Sequence, residues 1–478
     1  MKLLIPLFLF LYSANSFAQQ TKFTGTWEGK INVGISLRLV FEFNEDKKGV
    51  LSGILRSPDQ SPKPLPADTT YTRGDSIFVA AKMFNISFSG KLTNDTTING
   101  TFVQGGPIPL VLTKVPVFVA TKRPQTPAAP FNYNTREVEY YNSDRSVKFS
   151  GTLTSPAIEP GTNYIKPPNY PTILLITGSG PQNRDEEMFL HKPFAVIADY
   201  LTRKGFAVLR VDDRGVGKTS GNFQGATSAD FAKDVEAGID FLKTQGEVDS
   251  TRIGLLGHSE GGMIAPIVAS RRKDVKFIVL LAGPGVPITT LMSEQFYAVS
   301  KSNGGDETIS KLGSRLFEQA VMAVHSSKDT NVMRKKIVEL LAKDYSFNKK
   351  LYDSLELNTD ALRNAYASGR IKSMLESWYY YFSGFDPTPY LTKLSCDVLA
   401  LNGEKDVQVL PRSNLEGIKA ALKKSKSKNY EVKEIPGLNH LFQTCKKCSP
   451  QEYGELEETF SPVALEIMGE WLKSQGGL

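Results

Sequence analysis

The stretch from Arg252 to Ala269 constrains this chain more than any other. Ile253, Leu255 and Leu256 form a short apolar run of strand formers, Gly257-His258-Ser259-Glu260-Gly261 follows, and Gly262 to Ala269 is small and apolar. A serine with glycine two residues before and two after reads as a strand turning sharply into a helix, because side chains at the flanking positions would collide with neighbouring backbone. The hydroxyl then stands above the sheet edge. The helix that begins there turns its free N–H groups and positive dipole end toward the same oxygen, where negative charge develops in acyl transfer. The five residues alone equally suit an ordinary glycine-rich turn. The strand before them, the helix after them, and the acid and histidine downstream favour a nucleophile.

At 478 residues, 40% of them hydrophobic, the chain exceeds one ordinary core, so more than one domain is expected. Met1-Lys2, the apolar Leu3 to Tyr12, and the small residues of Ser16-Phe17-Ala18 read as a secretory signal over 1–18, with an uncleaved anchor as the alternative. The mature chain from Gln19 is therefore expected to be exported, periplasmic or secreted, with no membrane span. The formal charge of +7 is spread through interleaved acids and lysines. Its densest basic stretch, Lys419 to Lys428, has no interleaved aromatics and reads as a solvated helix end, not a nucleic-acid site. Of three cysteines, Cys445 and Cys448 are placed to pair, leaving Cys396 as a buried thiol in a strand. One C-x-x-C near one histidine is an incomplete zinc set, so neither metal nor cofactor is expected.

Residues 19–115 read as an antiparallel β domain. Ser36 to Phe43 alternates polar and apolar for much of its length, and turn clusters such as Asn94-Asp95 separate the runs. Its opening Gly25-Thr26-Trp27 resembles the G-x-W of small lipocalin-like barrels, and packing or partner docking is favoured over ligand binding. Pro116, Pro124, Pro127 and Pro130 mark a linker over 116–134. Over 135–478 strands alternate with helices: strands at Thr172–Thr177, Ala207–Val211, Arg252–Leu256, Phe277–Ala282, Asp397–Leu401 and Tyr430–Ile435, helices at Pro193–Lys204, Ala229–Gln245 and Pro462–Lys473. Such alternation predicts a largely parallel sheet covered on both faces, an α/β fold. A strandless interval over about 287–385 predicts a helical lid inserted on the elbow's edge of the sheet. Its Trp378-Tyr379-Tyr380-Tyr381-Phe382 run is read first as lid core and second as pocket lining.

A serine hydroxyl needs a base within hydrogen-bond reach. Of four histidines, His258 adjoins the serine, His191 precedes the first long helix, and His325 lies in the lid. His440, just past the last strand, remains as the base. The acid that fixes its tautomer is sought in Asn402-Gly403-Glu404-Lys405-Asp406, with Asp406 preferred and Glu404 as fallback. Oxyanion donors are expected from the N–H of Glu260 and from the loop Thr177-Gly178-Ser179-Gly180-Pro181, Ser179 first and Gly180 second. Asp213-Arg214-Gly215-Val216-Gly217 reads as a tight turn whose charged residues hold loops together.

These stretches, with Gln182, Arg184-Asp185-Glu186, Lys218-Thr219-Ser220 and Asn439-His440, resemble bacterial α/β-hydrolases of the EstD-like esterase and serine aminopeptidase-like (S33-type) group. The resemblance covers about Glu137 to the C-terminus. It implies an α/β-hydrolase fold with a helical lid, and a carboxylesterase acting on a small-molecule ester through nucleophile Ser259, acid Asp406 and base His440. Thr177-Gly178 stands where the group usually has His-Gly. Two other readings stay open: a peptidase or amide hydrolase using the same triad, and an inactive ligand-binding protein on a hydrolase scaffold.

Overall fold

Alternation in Ser36–Glu45 buries Leu37, Leu39, Phe41 and Phe43 and leaves Ser36, Arg38 and Glu42 partly exposed, as a strand with one face on a core requires. The computed structural model describes residues 21–32, 36–60, 63–119, 121–157, 169–354 and 356–476, and divides into two units at residues 120 and 121. The signal reading over 1–18 lies outside the described residues.

In the first unit nine antiparallel strands form one sheet, with Gly25–Asn32 inside it, paired to both Ser36–Glu45 and the central strand Pro107–Val115. Ala67 N–H donates to Gly53 O at 2.9 Å, drawing the start of the outermost strand, Thr69–Arg73, toward Leu51–Arg56 near the other edge. The sheet thus curls into a half-barrel of the lipocalin-like kind. Trp27 fills its interior with no exposed surface, its indole N–H donating to Phe23 O at 2.6 Å.

In the second unit eight strands form the other sheet: β1 (Tyr133–Tyr141), β2 (Lys148–Pro156), β3 (Tyr170–Ile176), β4 (Ala207–Val211), β5 (Val248–His258), β6 (Val275–Leu281), β7 (Asp397–Gly403) and β8 (Tyr430–Ile435). Their order is β1-β2-β4-β3-β5-β6-β7-β8, with β2 antiparallel to its neighbours and all pairs from β4 to β8 parallel. This is the α/β-hydrolase arrangement. Helices α1 (Pro193–Arg203), α2 (Ser228–Leu242) and α3 (Glu260–Ala269) follow β3, β4 and β5. α3 is buried at every position, which its small residues permit.

The hairpin β1–β2 escapes the sequence reading, because charged residues on β1 mask its two buried positions, Val138 and Tyr140. The expected linker over 116–134 is also shorter than read. From Thr121 the chain belongs to the second unit, where the Arg123 guanidinium donates to the carbonyls of Phe189, Gly454 and Leu456 and Gln125 bonds to Phe460. The lid lies between β6 and β7 as helices α4 (Ile288–Ser302), α5 (Glu307–His325), α6 (Thr330–Phe347), α7 (Lys349–Ser354), α8 (Asp360–Met374), α9 (Ser377–Ser383) and α10 (Thr388–Leu391). It carries its own core of Val321, Val324, Met333, Ile337 and Tyr352. After β7 come α11 (Pro411–Leu422) and, past β8, α12 (Pro462–Gly476). Among the described residues no helix is long and apolar enough to cross a membrane.

Candidate active site

The turn between β5 and α3 is possible only because its flanks lack side chains. A Cβ on Gly257 would stand 2.0 Å from Gly261 O, and one on Gly261 would stand 2.1 Å from Ile176 O at the end of β3. Between them Ser259 adopts φ 53° and ψ −114°, a conformation costing roughly 1–3 kcal/mol for a residue with a side chain. Two backbone hydrogen bonds hold it there: Ser259 N–H donates to Leu281 O at 2.8 Å, and Gly262 N–H to Ser259 O at 2.9 Å. The expectation of a strained elbow is met.

His440 Nε2 lies 3.2 Å from Ser259 Oγ, and its Nδ1 lies 2.8 Å from Asp406 Oδ2. Three side chains separated by up to 181 positions therefore meet. Asp406 is buried, and its other oxygen accepts the N–H groups of Gln408 (2.7 Å) and Val409 (2.9 Å), which fixes the carboxylate plane toward the imidazole. Glu404, the fallback acid, instead accepts Gly437 N–H at 3.0 Å and pairs with Lys405 at the surface. The His440 loop is shaped by Asn439, whose side-chain Oδ1 accepts the N–H groups of Leu441 (3.0 Å) and Gln443 (2.9 Å).

Of the donors expected for an oxyanion, Gly178 N–H is spent on Glu186 Oε1 at 2.6 Å. Ser179 and Glu260 have no backbone acceptor among the described residues, and both border the cavity above Ser259, whereas Gly180 does not. The loop bearing Ser179 is clamped by Asp213, which accepts Thr177 Oγ1–H at 2.8 Å and Gln182 N–H at 2.9 Å. Burial pushes the Asp213 carboxyl up to about 7, helped by repulsion from Glu186 and Glu260. Of the two charged residues in the turn after β4, Asp213 thus holds a loop, as read, whereas Arg214 pairs with Asp234 of helix α2 at 2.5 Å.

The cavity measures about 270 Å³ and takes Leu291, Met292, Trp378 and Phe382 from the lid as an apolar wall. Here the preferred reading of the aromatic run is corrected. Tyr379 packs on the lid core, but Trp378 and Phe382, stacked at 4.9 Å, line the cavity. A helix of seven residues exposes alternate sides to both, which one linear run cannot reveal.

Sequence reasoning assigned no work to three side chains. The Glu260 side chain is buried and its Oε1 accepts Ser228 Oγ–H at 2.6 Å and Trp378 Nε1–H at 2.9 Å, joining α3 to the lid; burial raises its carboxyl above the usual range. Glu186 and His258 pair at 3.0 Å beside the elbow. Near His440, Cys445 and Cys448 form the expected disulfide, and Cys396 is a free buried thiol.

A family model described as serine aminopeptidase, S33, matches residues 192–444, a span that includes Ser259, Asp406 and His440. Esterase EstD of Thermotoga maritima is 32% identical over 126 residues, covering 26% of this chain and 30% of that protein, so the match spans under a third of that relative's length. Among solved structures, a hypothetical protein of Pseudomonas aeruginosa is 14% identical with a TM-score of 0.43, over 76% of this chain and 100% of its own. An esterase of Pyrococcus furiosus is 16% identical with a TM-score of 0.40, over 72% of this chain and 90% of its own.

Proposed function

The chain belongs to the serine aminopeptidase (S33) family of α/β-hydrolases, and from that premise we propose that it is a carboxylesterase working through an acyl-enzyme. The observation that carries the reading is the Ser259 Oγ–His440 Nε2 approach of 3.2 Å with Asp406 behind it at 2.8 Å. In this reaction His440 takes the hydroxyl proton as Ser259 attacks the ester carbonyl, while Asp406 holds the imidazole in the tautomer with Nδ1–H and stabilises the imidazolium. The N–H groups of Glu260 and Ser179 receive the oxyanion. His440 returns the proton to the leaving alcohol, then activates water to release the acid.

Ester substrates are favoured over peptides because the acids near the cavity are already engaged. Glu186 is bound by Gly178 and His258, Glu260 by Ser228 and Trp378, and Glu294 of the lid by Ser413 Oγ–H at 2.6 Å. Each is thus held by donors of the protein itself, with which a peptide amine would have to compete. Export, read from residues 1–18, is supported by the disulfide, a bond that persists in oxidising compartments. Ser259→Ala is the test: turnover of short p-nitrophenyl esters should fall by about 10⁴-fold or more. Undiminished turnover, or faster cleavage of aminoacyl arylamides than of esters by the unmodified protein, would reject the assignment.

A further inference from the structure

His258 directly precedes Ser259, yet its ring turns away from the hydroxyl and is buried. Its two nitrogens have defined partners: Nε2 lies 3.0 Å from the backbone carbonyl of His440, and Nδ1 lies 3.0 Å from Glu186 Oε1. We infer that His258 is a buried imidazolium that, paired with Glu186, is a positioning residue tying together the three segments that carry the nucleophile, the base and the oxyanion donors. The inference rests on the reading of Ser259 as the nucleophile for its role, but not for the charge itself.

The proton count follows from what each neighbour can do. A carbonyl oxygen only accepts, so Nε2 carries a hydrogen. Glu186 Oε1 already accepts Gly178 N–H at 2.6 Å, and a carboxylate oxygen that accepts twice takes its second hydrogen from Nδ1. Both ring nitrogens therefore donate, and the ring is cationic. The groups facing it are the Glu186 carboxylate, the His440 carbonyl and ring (centroids 4.9 Å apart), the Phe442 ring and, further off, the Asp406 carboxylate. Among the described residues no lysine or arginine borders the cavity beside them. Burial, the largest influence, opposes the charge. Attraction to Glu186, the hydrogen bonds and Asp406 together outweigh it and raise the ring above the ordinary imidazole range.

The pair closes a ring of contacts around the site. Glu186 fixes Gly178, the residue before Ser179; His258 is joined by a peptide bond to Ser259; and the carbonyl it holds belongs to His440, whose own Nε2 returns to Ser259. Position errors in any one segment are thereby shared by all three.

Two measurements test this. With four histidines in the chain, ¹⁵N-histidine NMR of the full-length protein at pH 7.5 can be assigned by the signals lost in His258→Gln. The His258 signals should show both ring nitrogens protonated and slow to exchange. One protonated and one bare nitrogen would overturn the charge, whether or not the protein hydrolyses esters. Glu186→Gln should then render His258 neutral and lower kcat on a short p-nitrophenyl ester by about 100-fold with KM within about twofold. Unchanged kcat, or a change confined to KM, would overturn the positioning role; absence of ester turnover in the unmodified protein would instead count against the proposed function.

Discussion

Replacing Asp406 by asparagine tests the chemistry with almost no change of shape. Asp406 Oδ1 is held by two backbone donors, Gln408 N–H at 2.7 Å and Val409 N–H at 2.9 Å, so the asparagine oxygen must take that position. Its amide nitrogen is then left facing His440 Nδ1, where the carboxylate oxygen had stood at 2.8 Å. A donor there forces Nδ1 to accept, and the ring proton moves to Nε2, the nitrogen that must be bare to receive the Ser259 proton. Substitutions that impose the wrong tautomer in this way lower kcat by roughly 10⁴-fold, about 5 kcal/mol of barrier. The assay is steady-state hydrolysis of p-nitrophenyl acetate beside the rate of fluorophosphonate labelling, with thermal unfolding as a control for folding. Both rates should collapse together while the protein stays folded. Glu404→Gln, which disturbs exposed contacts to Gly437 and Lys405, should change kcat by less than about twofold. If Asp406→Asn kept kcat within tenfold of the parent, or Glu404→Gln produced the larger loss, the assignment of the acid would be wrong.

Gly261→Ala places a methyl group 2.1 Å from Ile176 O, a backbone atom that cannot swing aside, so urea unfolding should show a loss of about 3 kcal/mol or more; an unshifted midpoint would mean that β3 and α3 are not in fixed contact. Trp378→Ala removes part of the lid wall and its bond to Glu260, and should raise KM for aryl-acyl esters about tenfold while leaving kcat on acetate within about threefold; equal effects on both substrates would argue against a wall that grips the acyl group. His191, buried and bonded to Thr459 and the Tyr453 carbonyl, has its pKa lowered to about 4, by burial first and then by Arg123. The unfolded chain binds its proton from about pH 6.5, so the native state's advantage is complete above that pH and shrinks by about 3 kcal/mol as pH falls to 4. His191→Gln should flatten stability across that window, and an unaltered slope would sink the argument.

How much of this was legible in the residues themselves depends on range. Ser259 was readable because its motif is local, and the parallel strands were readable because continuous apolar runs bounded by turns have few other homes. Asp406 and His440 were readable as the acid and histidine lying just past two strand ends. Asp406 could be ranked above Glu404, but the contacts that hold it there, the N–H groups of Gln408 and Val409, could not be read in advance. The Glu186–His258 pair joins positions 72 apart through one hydrogen bond, and nothing near either residue announces the other. Trp378 and Tyr379 are neighbours in the chain with opposite destinies, because a short helix divides its aromatics between two interiors. The strand β1 hid behind its own charges, and the anchoring of Arg123 was invisible because its acceptors are carbonyls, which every residue has.

That anchoring decides where the second unit can be cut free. Arg123 and Gln125 grip Gly454, Leu456 and Phe460, the stretch that also supplies Thr459 to the cavity wall. An excised module begun at Tyr133, the first residue of its sheet, would discard the two clasps and loosen a stretch that borders the cavity above Ser259; one begun at Thr121 would keep them.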